Sequence, residues 1–363
     1  MNAPPPQAGG AAAPRRARTE ARLLRLWKDR GPLARALWPL SLLYGALTAL
    51  RRAAYRARWL RSERLPRPVL VVGNRIAGGA GKTPTVIALL AHLRAAGWRP
   101  GVISRGHGGA LRGVLEVRPD TPAAQAGDEP LLIRLRAQVP VVVGVDRVAA
   151  GLTLLAAHPE LNLIVADDGL QHLRLARDVE VVVFDARGAG NGWLLPAGPL
   201  REPVDARGAA PTTLVLYNAA APSTPLPGAC AEARLAGAVA LDAWWHGEPA
   251  SAGALHALRG RRVVACAGVA QPQRFFDQLR AAGLSIDELR PGDHARYDTL
   301  PWPADAADVL VTEKDAVKLD PARIAHERPG CRVWVAPLDF SPEPAFLAAL
   351  DAALAPHAAR LEG

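Results

Sequence analysis

From Arg67 onward, short unbroken apolar runs alternate with segments whose apolar residues recur at helical spacing. The runs lie at 69–72, 102–104, 141–143, 163–166, 181–184 and 214–216, and Val86, Ile87, Leu89, Leu90 and Leu93 trace one face of a helix. Apolar runs without polar alternation suit strands covered on both faces, which predicts a mostly parallel sheet sandwiched by helices. A Pro-rich break at 219–229 follows, and beyond it come further β-like runs at 263–266, 309–311 and 333–335, with helical spacing in Arg274, Phe275, Phe276 and Leu279. The pattern predicts an α/β protein with four segments: 1–66, a core at 67–218, a linker at 219–255 and a smaller α/β lobe at 256–363.

The first segment has a different texture. Residues 1–14 are Pro, Gly and Ala without a period and read as an unstructured tail. Residues 36–50 carry no charge and are dominated by leucine, fifteen residues against the ~20 needed to span a bilayer as a helix. Arg30, Arg35, Arg51, Arg52, Arg56 and Arg58 crowd both ends, interleaved with Trp27, Trp38, Tyr44, Tyr55 and Trp59. An apolar body with aromatic flanks and a cationic face describes a helix lying in a membrane interface. A helical pair packed on the domain and a spanning helix are the other two readings of the segment.

Charge sharpens this division. Residues 15–67 hold 15 basic and three acidic residues, a balance of +12, whereas the whole chain is +10. The rest of the chain therefore sums to about −2, so a nearly neutral body carries a basic arm suited to an anionic partner. The arm lacks the signature of a nucleic-acid-binding module, and its uncharged centre suits lipid better, so no nucleic acid is expected. With half the residues hydrophobic and 21% charged, wholesale disorder is excluded. Cys230, Cys266 and Cys331 are far apart and odd in number, offering neither a disulfide framework nor a metal pair, and they read as small core residues.

The strongest chemical signal follows the first apolar run. Ile76, Ala77, Gly78, Gly79, Ala80, Gly81, Lys82 and Thr83 lead into Pro84 and the helix-period segment. Glycines between a buried strand and a helix start let backbone N–H groups converge on phosphate oxygens, with Lys82 against the β/γ-phosphates and the Thr83 hydroxyl on Mg²⁺. A strict P-loop has glycine at position 76, where this chain has isoleucine. Asp167 and Asp168 end the 163–166 run, where a carboxylate would position Mg²⁺ in the ligand crevice or, alternatively, cap the next helix. A P-loop enzyme acting on some other substrate would account for these residues but has no use for the basic aromatic arm.

Further motifs are specific in combination: Ser104-Arg-Gly106, Gly127-Asp-Glu-Pro130, Asp167-Asp-Gly-Leu-Gln-His172, Gly190-Asn-Gly192, Leu195-Pro-Ala-Gly-Pro-Leu-Arg-Glu202, Gly292-Asp-His294 and Thr312-Glu-Lys-Asp-Ala-Val-Lys318. With the loop at 77–84, they make the chain, from about Trp27 onward, resemble the tetraacyldisaccharide 4'-kinase family of lipid A biosynthesis. That family shares the non-glycine residue at position 76, while His107 and Ala295 stand where members usually have Tyr and often a second His.

The resemblance implies a P-loop α/β core, a smaller C-terminal lobe and an N-terminal membrane-docking helix. It implies transfer of the ATP γ-phosphoryl group, with Mg²⁺, to the 4'-hydroxyl of a tetraacylated glucosamine disaccharide 1-phosphate lipid, giving lipid IVA. It implies work at the anionic surface of the bacterial inner membrane, on its cytoplasmic face, and no protein partner is inferred. Asp128 matches the family's proposed base and His294 the histidine paired with it, while Arg201 and Glu202 face the cleft by analogy. Gln171 and His172 either bond ligand or orient the turn. The 312–318 segment reads as family-like, with its charges open to a purely structural ion-pair role.

Overall fold

The computed structural model describes residues 23, 25–106, 113–293 and 295–358. The expected tail at 1–14, His107 and His294 lie outside the described residues. Eight strands come first: β1 (Val69–Gly73), β2 (Pro100–Ser104), β3 (Val114–Glu116), β4 (Val141–Gly144), β5 (Leu163–Asp167), β6 (Val179–Asp185), β7 (Thr212–Asn218) and β8 (Ala229–Leu235). Then follow β9 (Val239–Ala240), β10 (Arg262–Cys266), β11 (Ser285–Leu289), β12 (Asp308–Thr312), β13 (Arg332–Ala336) and β14 (Leu338–Pro342). Six helices have ten or more residues among those described: α1 (Pro32–Arg56), α2 (Lys82–Ala95), α3 (Asp128–Ala137), α4 (Arg147–Ala157), α5 (Pro272–Ala281) and α6 (Pro344–Ala358).

Each apolar run became a strand. The first sheet has the order β14-β8-β7-β6-β1-β5-β2-β4-β3, and the strands from β8 to β4 run parallel. Strands β1, β2, β4, β5 and β6 are buried along their whole length, as unbroken apolar runs require. The second sheet, β11-β10-β12-β13-β9, is parallel except for β9. Strands β3, β9, β11 and β14 form sheet edges and β8 lies next to one. β8, β11 and β14 mix polar with apolar residues, so they lack the signal that marked the central strands.

Sheet membership cuts across the expected segment boundaries. β8, inside the expected linker, belongs to the first sheet, and β14 returns from the second lobe to pair antiparallel with β8. Helix α6 then buries Phe346, Leu350 and Leu354 against β7 and β8. The chain thus leaves the first sheet once and comes back to finish it.

Helix α1 is longer than its uncharged centre suggested. Pro32 opens it at a position where the missing N–H costs nothing, and it continues through the arginine-bearing flanks to Arg56, 25 residues in all. With a mean hydropathy of 1.3 over its most apolar window, it is long and apolar enough to cross a membrane. One face is nonetheless attached to the core. The Ser41 hydroxyl donates to the Leu194 carbonyl (2.9 Å) and accepts from the Ala197 N–H (3.0 Å), and the Tyr44 hydroxyl donates to the Arg201 carbonyl (2.9 Å). Gly45 permits this approach, since a β-carbon there would lie 2.8 Å from Leu194. The opposite face exposes Leu40 (55%), Leu43 (59%) and Leu47 (58%). The cysteines are free, and only Cys266 is a fully buried core residue; Cys230 and Cys331 are half-buried.

Candidate active site

Strand order brings the chemistry together. β1 lies between β5 and β6, and the register pairs Val72 with Asp167, so the loop leaving β1 and the acids leaving β5 emerge side by side. This is the carboxyl-end crevice where parallel α/β sheets hold ligands.

The glycine loop divides into two parts. Ile76 is a buried core residue whose backbone bridges Leu200, and the Ala77 N–H donates to the Pro199 carbonyl (2.7 Å). That packing explains why isoleucine replaces glycine at position 76. The second part, Gly79 to Thr83, lines a cavity of about 380 Å³. Gly81 caps α2 in the left-handed region (φ 82°), and a β-carbon there would lie 2.0 Å from the Asn218 amide nitrogen. Glycine is the residue that meets both demands. Behind the loop, Val86, Leu89, Leu90 and Leu93 bury the predicted helix face in the core.

The acids after β5 differ in state. Lys82 Nζ lies 3.6 Å from Asp168 Oδ1, and Arg201 Nη1 lies 3.2 Å from the same oxygen. Burial works to raise the Asp168 carboxyl, but Lys82 and Arg201 outweigh it and hold it below the usual carboxylate range. Asp168 occupies the left-handed region (φ 51°), which aspartate enters more readily than most residues. Asp167 is fully buried, and burial, reinforced by the charges of Glu129 and Asp168, pushes its carboxyl up to about 7. Its Oδ2 accepts from the Ser104 hydroxyl (3.1 Å), while its Oδ1 has no hydrogen-bond partner. An orphaned buried oxygen beside surplus negative charge is a place where a cation fits.

Arg201, Gln171 and Glu202 extend this cluster toward α1. Arg201 Nη1 lies 3.4 Å from Gln171 Oε1, and Gln171 Nε2 donates to Glu202 Oε1 (3.0 Å). Glu202 in turn pairs with Arg52 of α1, and Arg51 donates to the Gln171 carbonyl (3.0 Å). His172 stands outside this chain of bonds. Burial, with Arg147 nearby, lowers it to about 4, so it is neutral at physiological pH.

Asp128 opens α3, with Lys318 Nζ 3.8 Å from its Oδ2. Lys318 also pairs with the buried Asp315 (3.1 Å), which accepts from the Tyr297 hydroxyl (2.8 Å) and the Gly268 N–H (2.9 Å). Lys314 bridges Glu129 (3.2 Å) and Asp293 (2.9 Å), and Arg136 pairs with Glu313. Burial works to lower the Lys314 ammonium, but Glu129 and Asp293 outweigh it, and it lies above its ordinary value. The 312–318 segment is therefore an ion-pair joint between the lobes. Sequence reasoning also missed Ser104, Glu129 and Arg147. The first two lie within motifs already singled out, whereas Arg147 opens α4 with no local signal of its place beside the acids.

Residues 33–355 match the model of the family described as Tetraacyldisaccharide-1-P 4'-kinase, LpxK. A relative from Methylibium petroleiphilum, named Tetraacyldisaccharide 4'-kinase, is 67% identical over 363 residues, the full length of both chains. A relative of the same name from Leptothrix cholodnii is 60% identical over 341 residues, covering 93% of this chain and 97% of its own. The crystal structure of LpxK from Aquifex aeolicus, described as an "apo" form in complex with ATP, is similar with a TM-score of 0.74 at 27% identity, covering 90% of this chain and 99% of that one. With its P-loop, its acidic strand end and its docked apolar helix, this chain belongs to the tetraacyldisaccharide 4'-kinase family.

Proposed function

We propose that this chain transfers the γ-phosphoryl group of ATP to the 4'-hydroxyl of tetraacyldisaccharide 1-phosphate, forming lipid IVA in lipid A biosynthesis. The observation that carries this reading is the bonded path from phosphate loop to apolar helix. Lys82 meets Asp168, Asp168 meets Arg201, and the Arg201 carbonyl accepts from Tyr44 on α1. A phosphoryl-transfer site at the root of a helix with exposed leucines suits a lipid whose headgroup stays at a membrane surface. Each buried CH₂ of such a lipid is worth ~0.8 kcal/mol, so the enzyme must go to the bilayer. We place it at the cytoplasmic face of the bacterial inner membrane, with α1 lying against the anionic leaflet. Spanning the bilayer would require α1 to give up its bonds through Ser41, Tyr44 and Arg52.

In this reading the N–H groups of residues 78–83 hold the phosphates and Lys82 neutralises them. Thr83, Asp167 and Asp168 would hold Mg²⁺. Among the described residues no three His, Cys, Asp or Glu side chains gather as a complete metal site, so a hydroxyl and phosphate oxygens would complete the set. When bound, the ion supplies charge neutralisation at the transferring phosphoryl group. Asp128 accepts the proton of the sugar hydroxyl, with His294 as its partner. Arg201 and Glu202 face the acceptor, and Gln171 holds them in register.

The test is transfer of labelled γ-phosphate with and without the tetraacyl disaccharide in detergent. Label in the lipid that depends on the acceptor and falls sharply in Asp128→Ala supports the reading. ATP hydrolysis indifferent to the acceptor, with no labelled lipid, overturns it.

A further inference from the structure

The second lobe touches the phosphate loop directly. A β-carbon on Gly79 would lie 3.4 Å from the Ala270 β-carbon, and Gln271 Nε2 donates to Asp185 Oδ2 at the end of β6 (2.7 Å). In the first turn of α5, Arg274 Nη1 donates to the side-chain oxygen of Asn218 at the end of β7 (2.9 Å). Asn218 packs against Gly81, and Arg274 lines the same cavity as residues 79–83.

The cations around this loop are not equivalent. Lys82 and Arg201 share Asp168, while Arg187 is engaged by Asp185 and by the Gly79 carbonyl (2.7 Å). Arg274 differs: its hydrogen-bond acceptor is a neutral amide oxygen, and the carboxylate whose charge reaches it, Asp185, is already bonded to Arg187 and Gln271. A guanidinium held by a neutral partner, in a cavity that the phosphate loop also lines, retains its charge for an anion. Strand order also separates it from the acidic cluster. Asp168 follows β5, on one side of β1, whereas Asn218 ends β7, on the other side beyond β6. Arg274 therefore lies away from the Asp168–Arg201 cluster where transfer is proposed.

We propose that Arg274 binds the phosphates that remain with the nucleoside, gripping ATP and ADP alike from the second lobe. The inference rests on the P-loop reading of residues 78–83 but not on the identity of the acceptor. Because the contact is the same before and after transfer, its loss weakens binding without slowing the chemical step. Removing one charge-assisted hydrogen bond corresponds to roughly a tenfold to hundredfold loss of affinity.

The experiment uses the full chain in detergent, with ADP affinity by calorimetry, kcat and KM with saturating lipid, and the Tm of the ligand-free protein. Arg274→Ala is expected to raise the ADP Kd and the ATP KM by the same factor of ten or more, with kcat and lipid KM within about threefold of the parent. Arg274→Lys should recover part of the loss, since a point charge replaces the fork. Nucleotide affinities within threefold of the parent would overturn the proposal, leaving Arg274 as a bond between lobes. A fall in kcat with ADP affinity intact would also overturn it and assign Arg274 to the transferring group. A weakened affinity matched by a lowered ligand-free Tm and no recovery in Arg274→Lys would reduce the residue to a structural role. ADP binding requires no acceptor, so this arm decides the matter even if the lipid reading fails.

Discussion

Lys82 and Asp167 make opposite demands on the fold. Lys82 is nearly buried and faces the cavity, where its charge is balanced by Asp168. Lys82→Ala should lower kcat by at least a hundredfold, the scale of losing a preorganised charge, while the folded protein persists. Near-normal turnover by the purified variant would remove the phosphate-loop assignment. Asp167 is a charge the fold tolerates poorly. Its carboxyl, pushed up to about 7, holds a proton that the unfolded chain has already released above about pH 4. Between those values the native state binds more protons, so this residue makes stability fall as pH rises, down to a plateau above 7. Asp167→Asn should therefore raise the Tm of the ligand-free protein by a few degrees at pH 8 and hardly at all at pH 4.5, while abolishing turnover. A Tm scan at both pH values checks it, and equal Tm gains at the two would show that the proton is not the cause.

Helix α1 combines two faces with different work. Ser41, Tyr44, Gly45 and Arg52 fix it to the segment from Leu194 to Glu202, beside Arg201. Leu40, Leu43 and Leu47 point away, each more than half exposed. Replacing all three with Ser removes apolar surface without opening a cavity, so stability in detergent should hold or improve. Flotation with anionic vesicles should weaken and the KM for lipid should rise, with the KM for ATP unchanged. Salt should release the parent protein only partly, because its apolar contact is not screened. Equal flotation of variant and parent would show that α1 is a packed structural helix and nothing more.

At the scale of the whole molecule, the two sheets are one folding problem. The chain enters the second lobe after β8 and returns as β14 and α6, and the nucleotide cavity takes residues from both lobes. Truncation after Ala336 would expose the β8 edge and remove the core contributions of Phe346, Leu350 and Leu354, each worth roughly 1.5–3 kcal/mol. Such a loss approaches the total stability of a typical domain, so the truncated chain should be insoluble or molten. A soluble truncated protein with a cooperative thermal transition would mean that the first sheet closes without β14.

The central strands, the phosphate loop and the acids ending β5 were legible along the chain, because each depends on neighbours in sequence. An unbroken apolar run implies burial on both faces, and glycines before Lys82 imply a backbone that must turn left-handed. Family resemblance pointed to Asp128, Arg201 and Glu202, which no local pattern singles out. What no reading along the chain reveals is who meets whom across long separations. Ile76 proved to be core because it meets Leu200, and Glu202 is held by Arg52 from 150 residues away. β14 and β8 mix polar with apolar residues because one lies at a sheet edge and the other beside it, so their pairing was invisible until the sheet assembled. Arg274 is an ordinary helical arginine in sequence; packing of the second lobe against β7 gives it a neutral anchor and a phosphate loop to face. Local periodicity reports the environment a residue needs, whereas a partner's identity depends on chain topology, which periodicity does not encode.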